Sequence, residues 1–186
     1  MLLPRTSRSD EQFRSELQTH LDINSAIDYL IFFYAAGLKE NAAKDLVLIR
    51  YEDSPWIASV YDMECAFGLN SLGTEFVSER EFLPKKANGI WNSGTGSLLW
   101  DRILQVFEPE IRARYAELRL NVLSEDNLIG RIEAYINTIP EDCYEQDKVL
   151  YPNRPLLQVD PKEQMVKYIS DRLPVLDGVL MEEKES

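Results

Sequence analysis

The sequence predicts an α+β fold in which a single, mostly helical lobe carries one central β-hairpin. Its 186 residues, 45% hydrophobic and 10% aromatic, are typical of one globular domain with a sizeable core. Apolar residues recur at helical spacing through most of the chain, which predicts amphipathic helices. One stretch, residues 46–61, has instead the pattern of strand, turn and strand.

Two helices are predicted before the hairpin. Ser9 is placed to cap the first, which covers residues 10–20. Ser25 is expected to cap the second, which extends to residue 36 and ends at Gly37, a residue suited to the position after a helix. The second segment is apolar on nearly every side, so we expect it to be buried.

The hairpin follows from three short segments. Residues 46–49 are a run of four apolar side chains, residues 52–55 (Glu-Asp-Ser-Pro) favour a turn, and residues 56–61 resume extended character. In an antiparallel pair, the start of the first strand and the end of the second are neighbours in space. The pairing therefore predicts that polar residues at these two ends come together.

Four polar side chains flank these ends: Asn41, Asp45, Asp62 and Glu64. Oxygen-bearing side chains that converge in this way suit a hard cation such as Mg²⁺. The candidate metal ligands are Asp45, Asp62 and Glu64. The alternative is that they are solvated turn residues, which are common at strand ends.

Residues 69–96 are expected to form a loop, because residues 83–97 concentrate Pro, Asn, Gly, Ser and Thr. Trp91 lies within this segment. We expect its ring to pin the loop to the core, the alternative being an exposed contact.

Three helices are predicted next. The first follows Ser97 and turns a set of apolar residues inward: Leu98, Leu99, Ile103, Leu104 and Phe107. The second runs from Glu108 to about Leu123, with Val122 on its apolar stripe, and its polar face is expected to be solvated: Arg112, Arg114, Glu117 and Arg119. The third begins after Ser124 and is closed by Pro140.

The C-terminal part is predicted to be a connector followed by one long helix. Residues 142–158 read as irregular, and the last helix starts near Pro161. It is expected to break or kink at Pro174 and to finish near Leu180.

Composition disfavours several classes of function. Twenty basic residues against thirty-two acidic ones give a net charge of −12, which is repelled by nucleic-acid phosphates and anionic lipid. We therefore expect no nucleic-acid or membrane partner, and the sequence contains neither a signal-peptide core nor an apolar run of transmembrane length. Two cysteines are too few for a disulfide framework, and the single histidine, His20, is expected to be structural.

The sequence segments ENAAKDLVLIRY (40–51) and WIASVYDMECAFG (56–68) resemble the CotH kinase family (spore-coat protein H-like), most closely its members in phage and prophage tail proteins. The pattern there is Asp-Asn-x-x-Lys-Asn, an apolar strand, then Trp-x-x-x-x-Tyr-Asp-x-Asp-x-x-Phe-Gly. The positions that match are Asn41, Lys44, Trp56, Tyr61, Asp62, Phe67 and Gly68. Three positions depart, Glu40, Asp45 and Glu64, where the family has Asp, Asn and Asp. Residues 97–128 also resemble the family's C-terminal helical segment.

The resemblance implies the C-terminal lobe of a protein-kinase-like fold over residues 9–180. Residues 1–8 would be a tail or joint, and 181–186 a frayed tail. It also implies site roles. Asp45 and Asp62 would hold Mg²⁺ on the phosphates of ATP, with Glu64 as a further ligand. Asn41 and Lys44 would contact the cofactor, and Glu40 would orient an acceptor hydroxyl, so the implied catalytic residues are Glu40, Asp45 and Asp62.

A complete kinase also needs a β-rich lobe that covers the nucleotide, whereas the residues before Glu40 read as two helices. We therefore expect a pseudokinase-like structural part of a phage or prophage tail protein. Its partners would be other segments of a larger polypeptide or phage structural proteins, in the virion tail or in the host cytoplasm during assembly. The alternative is an ATP- and Mg²⁺-dependent protein Ser/Thr phosphotransferase whose N-terminal lobe lies outside this chain. A third hypothesis, an acidic adaptor that binds through Trp91, accounts only for the charge.

Overall fold

The computed structural model describes residues 9–38, 41, 42, 44–70, 75–154 and 159–181. These residues form seven α-helices and four short strands, and the strands pair as two separate antiparallel hairpins. The fold is the α+β, mostly helical architecture that the sequence predicts, with one hairpin more than expected. The chain divides into two compact units. Residues 1–8, residues 182–186 of the predicted C-terminal tail (181–186) and Glu40 lie outside the described residues, and the single-domain assignment stays a prediction.

The first unit contains both hairpins. Its elements are α1 (Asp10–His20), most of α2 (Ile23–Ala36), β1 (Leu46–Ile49), β2 (Ile57–Val60), β3 (Lys85–Ala87), β4 (Ile90–Asn92), α3 (Leu98–Val106) and most of α4 (Glu108–Arg119). Phe13 and Leu17 of α1 are fully buried, as are Ile103 and Leu104 of α3. Helices α1 and α3 pack against each other, so these side chains form the core of the unit.

The N-terminal cap of α1 is the predicted residue, whereas that of α2 is a different one. Ser9 Oγ accepts a hydrogen bond from Gln12 N at 3.3 Å, which confirms the predicted cap. Helix α2 begins three residues earlier than expected, because the Asp22 carboxylate accepts from Ser25 N at 2.8 Å and so takes the capping role. Ser25 Oγ is used elsewhere: it accepts from Ala58 N of β2 at 3.1 Å.

Helix α2 is buried along most of its length, as its apolar sequence predicts. It ends as expected at Gly37, whose φ of +66° lies in the left-handed region that glycine adopts without strain. The next N–H, that of Leu38, donates to Phe33 O at 3.1 Å and satisfies a carbonyl of the last turn.

The first hairpin is confirmed, with slightly shorter strands than predicted. Its register runs from Leu46 opposite Val60 to Ile49 opposite Ile57. The chain before β2 is tied to the corner between α1 and α2: Trp56 N donates to His20 O and Asp22 N donates to Trp56 O, both at 2.8 Å. These contacts fix the hairpin on the helices.

The predicted loop over residues 69–96 is wrong in part, because β3 and β4 form a second hairpin there. Its turn is Asn88-Gly89, with φ of +51° and +76°, the positive pair that tight two-residue hairpin turns require. Trp91 on β4 is buried, so the prediction that it pins this segment to the core is confirmed.

Two predictions for the helices that follow are also wrong. Leu98 is 70% exposed, since it lies in the first turn of α3, and the buried aromatic of that helix is Trp100. Helix α4 ends at Arg119, which leaves Val122 exposed in the turn beyond it.

The polar face of α4 is engaged in ion pairs instead of being simply solvated. Arg112 pairs with Glu108 within the helix at 3.0 Å, and Arg114 pairs with Asp28 of α2 at 2.7 Å. The arginines therefore hold neighbouring elements as well as covering a surface.

The second unit contains α5 (Glu125–Ile136), α6 (Glu141–Leu150) and α7 (Pro161–Leu180), together with residues 64–81. Helices α5 and α7 pack against each other. Lys162 of α7 forms an ion pair with Glu133 of α5 at 2.9 Å. The side chains that α7 buries are Tyr168, Ile169, Arg172, Leu173, Leu176 and Leu180.

One further prediction fails in this unit, and the prediction of a break or kink at Pro174 is wrong as to the break. Helix α6 occupies much of the expected connector, and every residue of α6 is at least partly exposed, so it has no apolar stripe for sequence analysis to detect. Helix α7 continues through Pro174. The proline is exposed and removes one backbone donor, while burial of Leu173 and Leu176 on either side keeps the helix intact.

Candidate functional site

The centre of the candidate site is Asn41, whose side chain is almost fully buried. Its Nδ2 donates to two main-chain carbonyls just after β2, Tyr61 O at 2.8 Å and Asp62 O at 3.1 Å. Both amide hydrogens of Asn41 are therefore used to hold this residue against the chain that follows β2. We call this pair of bonds the Asn41 clasp.

Two aromatic residues fix the same loop from the helices. Tyr29 of α2 donates its hydroxyl to Asn41 O, and Trp100 Nε1 of α3 donates to Ala42 O at 2.9 Å. The two rings are stacked, with centroids 5.7 Å apart and planes 15° from parallel. Residues 41 and 42, which precede β1, are thus held by buried hydrogen bonds from two helices.

Asp45 is buried at the start of β1. Lys44 Nζ lies 3.9 Å from its carboxylate, and the Lys44 side chain is itself largely exposed. Burial, together with the negative charge of Asp45, raises the pKa of Tyr29 to about 12. Tyr29 therefore stays protonated at neutral pH and keeps donating its hydrogen bond to the loop.

Asp62 follows β2 and has a φ of +49°, a left-handed conformation that aspartate tolerates better than most residues. Its side chain is exposed, in contrast to that of Asp45. Because Leu46 lies opposite Val60, Asp45 and Asp62 are at the same end of the hairpin, as the sequence predicts. The structure thus brings Asn41, Asp45 and the backbone of Asp62 to one end.

The other predicted site residues are differently placed. Glu64 is exposed in the turn over residues 64–68 and belongs to the second unit, and Glu40 lies outside the described residues. Lys44 is next to Asp45, as its sequence position requires. The metal, cofactor and catalytic roles assigned to these residues remain predictions.

Within the described ranges, no three His, Cys, Asp or Glu side chains are grouped so as to hold a metal ion. The oxygens at this end of the hairpin are the Asp45 carboxylate, the Asp62 carboxylate and the Asn41 side-chain oxygen. Such a mixed set suits Mg²⁺ when phosphate and water oxygens complete the coordination.

Tyr29 and Trp100 are the site residues that the sequence did not identify as part of the site. Tyr29 was expected in the buried helix and Trp100 was not expected to be buried, but neither was connected to the loop. The signal that could have found them is chemical: a buried Tyr or Trp needs a partner for its polar hydrogen. An irregular loop of backbone carbonyls beside the helices supplies such partners.

Comparison with known proteins gives a match over nearly the whole chain. The model of a family described as CotH kinase protein matches residues 3–176. A search of curated proteins found no match, and a search of solved structures found none. No helix in the described ranges combines the length and apolar character needed to cross a bilayer.

Proposed function

The chain belongs to the CotH kinase family, and we propose that it acts as a kinase-like structural module of a phage or prophage tail protein. The observation that carries the proposal is the architecture of the described residues before the loop. Residues 9–38 form two helices with buried apolar faces, whereas a kinase covers its nucleotide with a β-rich lobe that bears a lysine. Residues 9–38 therefore contribute to the hydrophobic core and supply no part of a nucleotide-covering β-rich lobe.

The candidate site supports the same proposal. The amide hydrogens of Asn41 are used to hold Tyr61 O and Asp62 O, and the loop is fastened by Tyr29 and Trp100. The arrangement accounts for the motif residue Asn41 as a structural clasp that needs no ligand. Asp45 and Glu64, where the family pattern has Asn and Asp, alter the charge and reach of two proposed ligands.

The assignment to a phage or prophage tail rests on the sequence segments 40–51 and 56–68 around the hairpin, which resemble the tail-protein members of the family. In this setting the partners would be other segments of a larger polypeptide or phage structural proteins. The location would be the virion tail, or the host cytoplasm during assembly.

One observation favours the second candidate function, an ATP- and Mg²⁺-dependent protein Ser/Thr phosphotransferase completed by a lobe outside this chain. Asp45 is a buried carboxylate whose ion-pair partner, Lys44, is itself largely exposed, and buried acids of this kind are frequent at functional sites. In this case Asp45 and Asp62 would hold Mg²⁺, which supplies positive charge to the β- and γ-phosphates. Asn41 and Lys44 would contact the nucleotide, and Glu40 would orient the acceptor hydroxyl.

A thermal-shift experiment with Mg-ATP distinguishes the two functions. The wild-type chain and the variants Asp45→Asn and Asp62→Asn would be melted with and without Mg-ATP. The structural proposal predicts no Mg-ATP-dependent change in Tm for any of them, because only ligands that bind the folded state raise Tm.

The matched control is Asp53→Asn. Asp53 is a fully exposed acid in the turn at the other end of the same hairpin, so its loss changes the net charge equally but leaves the candidate site intact. A Tm increase in wild type and in Asp53→Asn, lost in Asp62→Asn, would replace the structural proposal with the phosphotransferase.

The tail assignment has a separate test. Particles released by the host would be purified, their tails separated from their heads, and the fractions analysed by mass spectrometry. Peptides of this chain are expected in the tail fraction at a fixed ratio to the major tail protein. Their recovery only from the soluble host extract would contradict a structural role in the tail.

A further inference from the structure

The second unit contains a groove of about 590 Å³ that none of the predicted site residues lines. One side is the segment 76–79 and the other is the first half of α7. A volume of this size falls in the range of pockets that take small molecules or one or two peptide side chains.

The floor of the groove is the ring of Tyr168, which is buried. Gly68 has a φ of +79°, and a Cβ added there would come within 2.5 Å of Tyr168 Cδ2. The ring therefore lies directly on the glycine backbone. Gln164 Nε2 also donates to Phe67 O, which ties this stretch to α7. The floor is preformed.

The far wall is fixed by Arg172, a fully buried residue of α7. Its Nη1 donates to Glu79 O at 2.5 Å and to Glu81 O at 2.6 Å. These bonds hold the segment 79–81 against the helix, so the groove has a defined width.

The groove combines an apolar interior with an acidic rim. Phe76 is 54% exposed and Val159 is 37% exposed, so apolar surface faces solvent there. The charged residues that line it are four carboxylates and one ammonium: Glu79, Asp160, Glu163, Asp171 and Lys167. Lys167 is paired with Asp171 at 2.5 Å, so the field at the rim is negative.

We propose that this groove binds a partner peptide segment in which a lysine or arginine lies beside large aliphatic or aromatic side chains. The apolar side chain would cover Phe76 and the Tyr168 ring, and the basic group would lie at the carboxylate rim. Charge complementarity selects this occupant, because an acidic segment would be repelled by the same rim. The proposal does not depend on whether the chain binds nucleotide.

The test is a titration followed by ¹H–¹⁵N NMR, which detects weak binding and locates it. The probes are three capped tripeptides: acetyl-Leu-Arg-Leu-amide, acetyl-Leu-Glu-Leu-amide and acetyl-Ser-Arg-Ser-amide. We expect the first to shift the backbone amides of Gly68, Val77 and Gln164. The other two are expected to bind at least about fivefold more weakly, as loss of one charge contact or one apolar contact predicts.

Two variants and one control assign the binding to the groove. Glu163→Gln removes a rim charge and Phe76→Ala removes exposed apolar surface, and each is expected to weaken the first probe at least about threefold. Glu141→Gln is the matched control, since Glu141 is likewise an exposed acid in the first turn of a helix but does not line the groove. It should leave the affinity unchanged.

Three results would overturn the proposal. One is equal binding of the Arg and Glu probes, which would remove the charge selection. Another is a set of shifts spread over the acidic surface, as expected for non-specific attraction to a chain of net charge −12. The last is the absence of shifts at Gly68, Val77 and Gln164 at millimolar probe.

Discussion

The two hairpins of the first unit are fastened to the helices in different ways. The strands of the first are apolar, yet Val47, Leu48 and Ile49 are each more than one-third exposed, and the hairpin is held by polar contacts such as the Asn41 clasp. The second has lysines in β3, yet its one buried side chain, Trp91, holds it to the core.

Polar contacts add to the anchor of the second hairpin. Ser93, just after β4, donates its N–H to Asp101 Oδ1 at 2.7 Å, and Tyr34 donates its hydroxyl to Ser93 O at 2.9 Å. Lys86 of β3 pairs with Glu108 of α4 at 2.8 Å. The polarity of a strand therefore does not predict how the strand is attached to the helices. In each hairpin, one or two residues make the attachment.

The largest expected effect is that of Trp91→Ala, which removes the buried anchor of the second hairpin. We expect a loss of about 3–5 kcal/mol in the free energy of unfolding, as for other buried aromatic residues truncated to alanine. Urea denaturation measures it. The control is Ile90→Ala, since its neighbour Ile90 is 69% exposed on the other face of β4. Similar losses for the two variants would show that Trp91 is not the anchor.

The clasp of the first hairpin should give the next largest effect. Asn41→Ala leaves Tyr61 O and Asp62 O without their donor, and we expect a loss of about 2 kcal/mol, since each such bond contributes about 1 kcal/mol. Asn24→Ala is the control, because Asn24 is exposed on α2. Denaturation in the absence of any nucleotide measures both, and an unchanged stability for Asn41→Ala would show that the clasp holds nothing.

The turn of the second hairpin offers a smaller effect. Gly89→Ala places a side chain at a φ of +76°, where the added Cβ would meet no atom within 4 Å, so the cost is conformational alone. We expect a destabilisation of about 1 kcal/mol. Gly130→Ala is the control with the opposite sign: it lies in α5, also in open space, and should stabilise by roughly 0.8–1 kcal/mol. Stability unaffected by Gly89→Ala would mean that the turn adopts another conformation.

The smallest expected effect is the pH dependence of the Lys86–Glu108 pair. Burial raises the pKa of Glu108, but hydrogen bonds from Lys86 and Arg112 outweigh it and hold the pKa below its usual value. The pair therefore stabilises the fold above the unfolded-state pKa, and this contribution is lost as the pH falls through the lower folded-state pKa.

Glu108→Gln tests this sign. We expect wild type to exceed the variant in stability at pH 7 by no more than about 1 kcal/mol, because the pair is partly exposed. The difference should shrink as the pH falls below the usual pKa of glutamate, through the lower folded-state pKa of Glu108. Glu52→Gln, at an exposed turn position of the first hairpin, is the control for the loss of one negative charge. A difference that grows as the pH falls would contradict the assigned direction.

Sequence reasoning predicted the parts of the fold that rest on apolar periodicity or on caps. Helix α1, the body of α2, the first hairpin and the start of α7 near Pro161 follow the expected pattern. It failed where the deciding contact is distant in sequence. The partners of Arg114 and Trp100 are Asp28 and Ala42, which no local pattern reveals.

The second hairpin shows a different kind of failure. Its Asn88-Gly89 pair is a recognisable hairpin turn. The composition of the surrounding residues, rich in lysine, glycine and serine, nevertheless led to the prediction of a loop. For the site, sequence order placed Asp45 and Asp62 at one end of the hairpin, and the register confirms this placement. Asp45 is buried whereas Asp62 is exposed, a difference that the motif does not encode.

The central claim, that this chain is a structural member of a kinase-like family, is tested most directly by equilibrium dialysis against labelled ATP with excess Mg²⁺. The account predicts equal ATP on both sides of the membrane at a protein concentration of about 100 μM, which detects dissociation constants up to the millimolar range. Excess ATP on the protein side, abolished by Asp62→Asn and retained by Asp53→Asn, would contradict it.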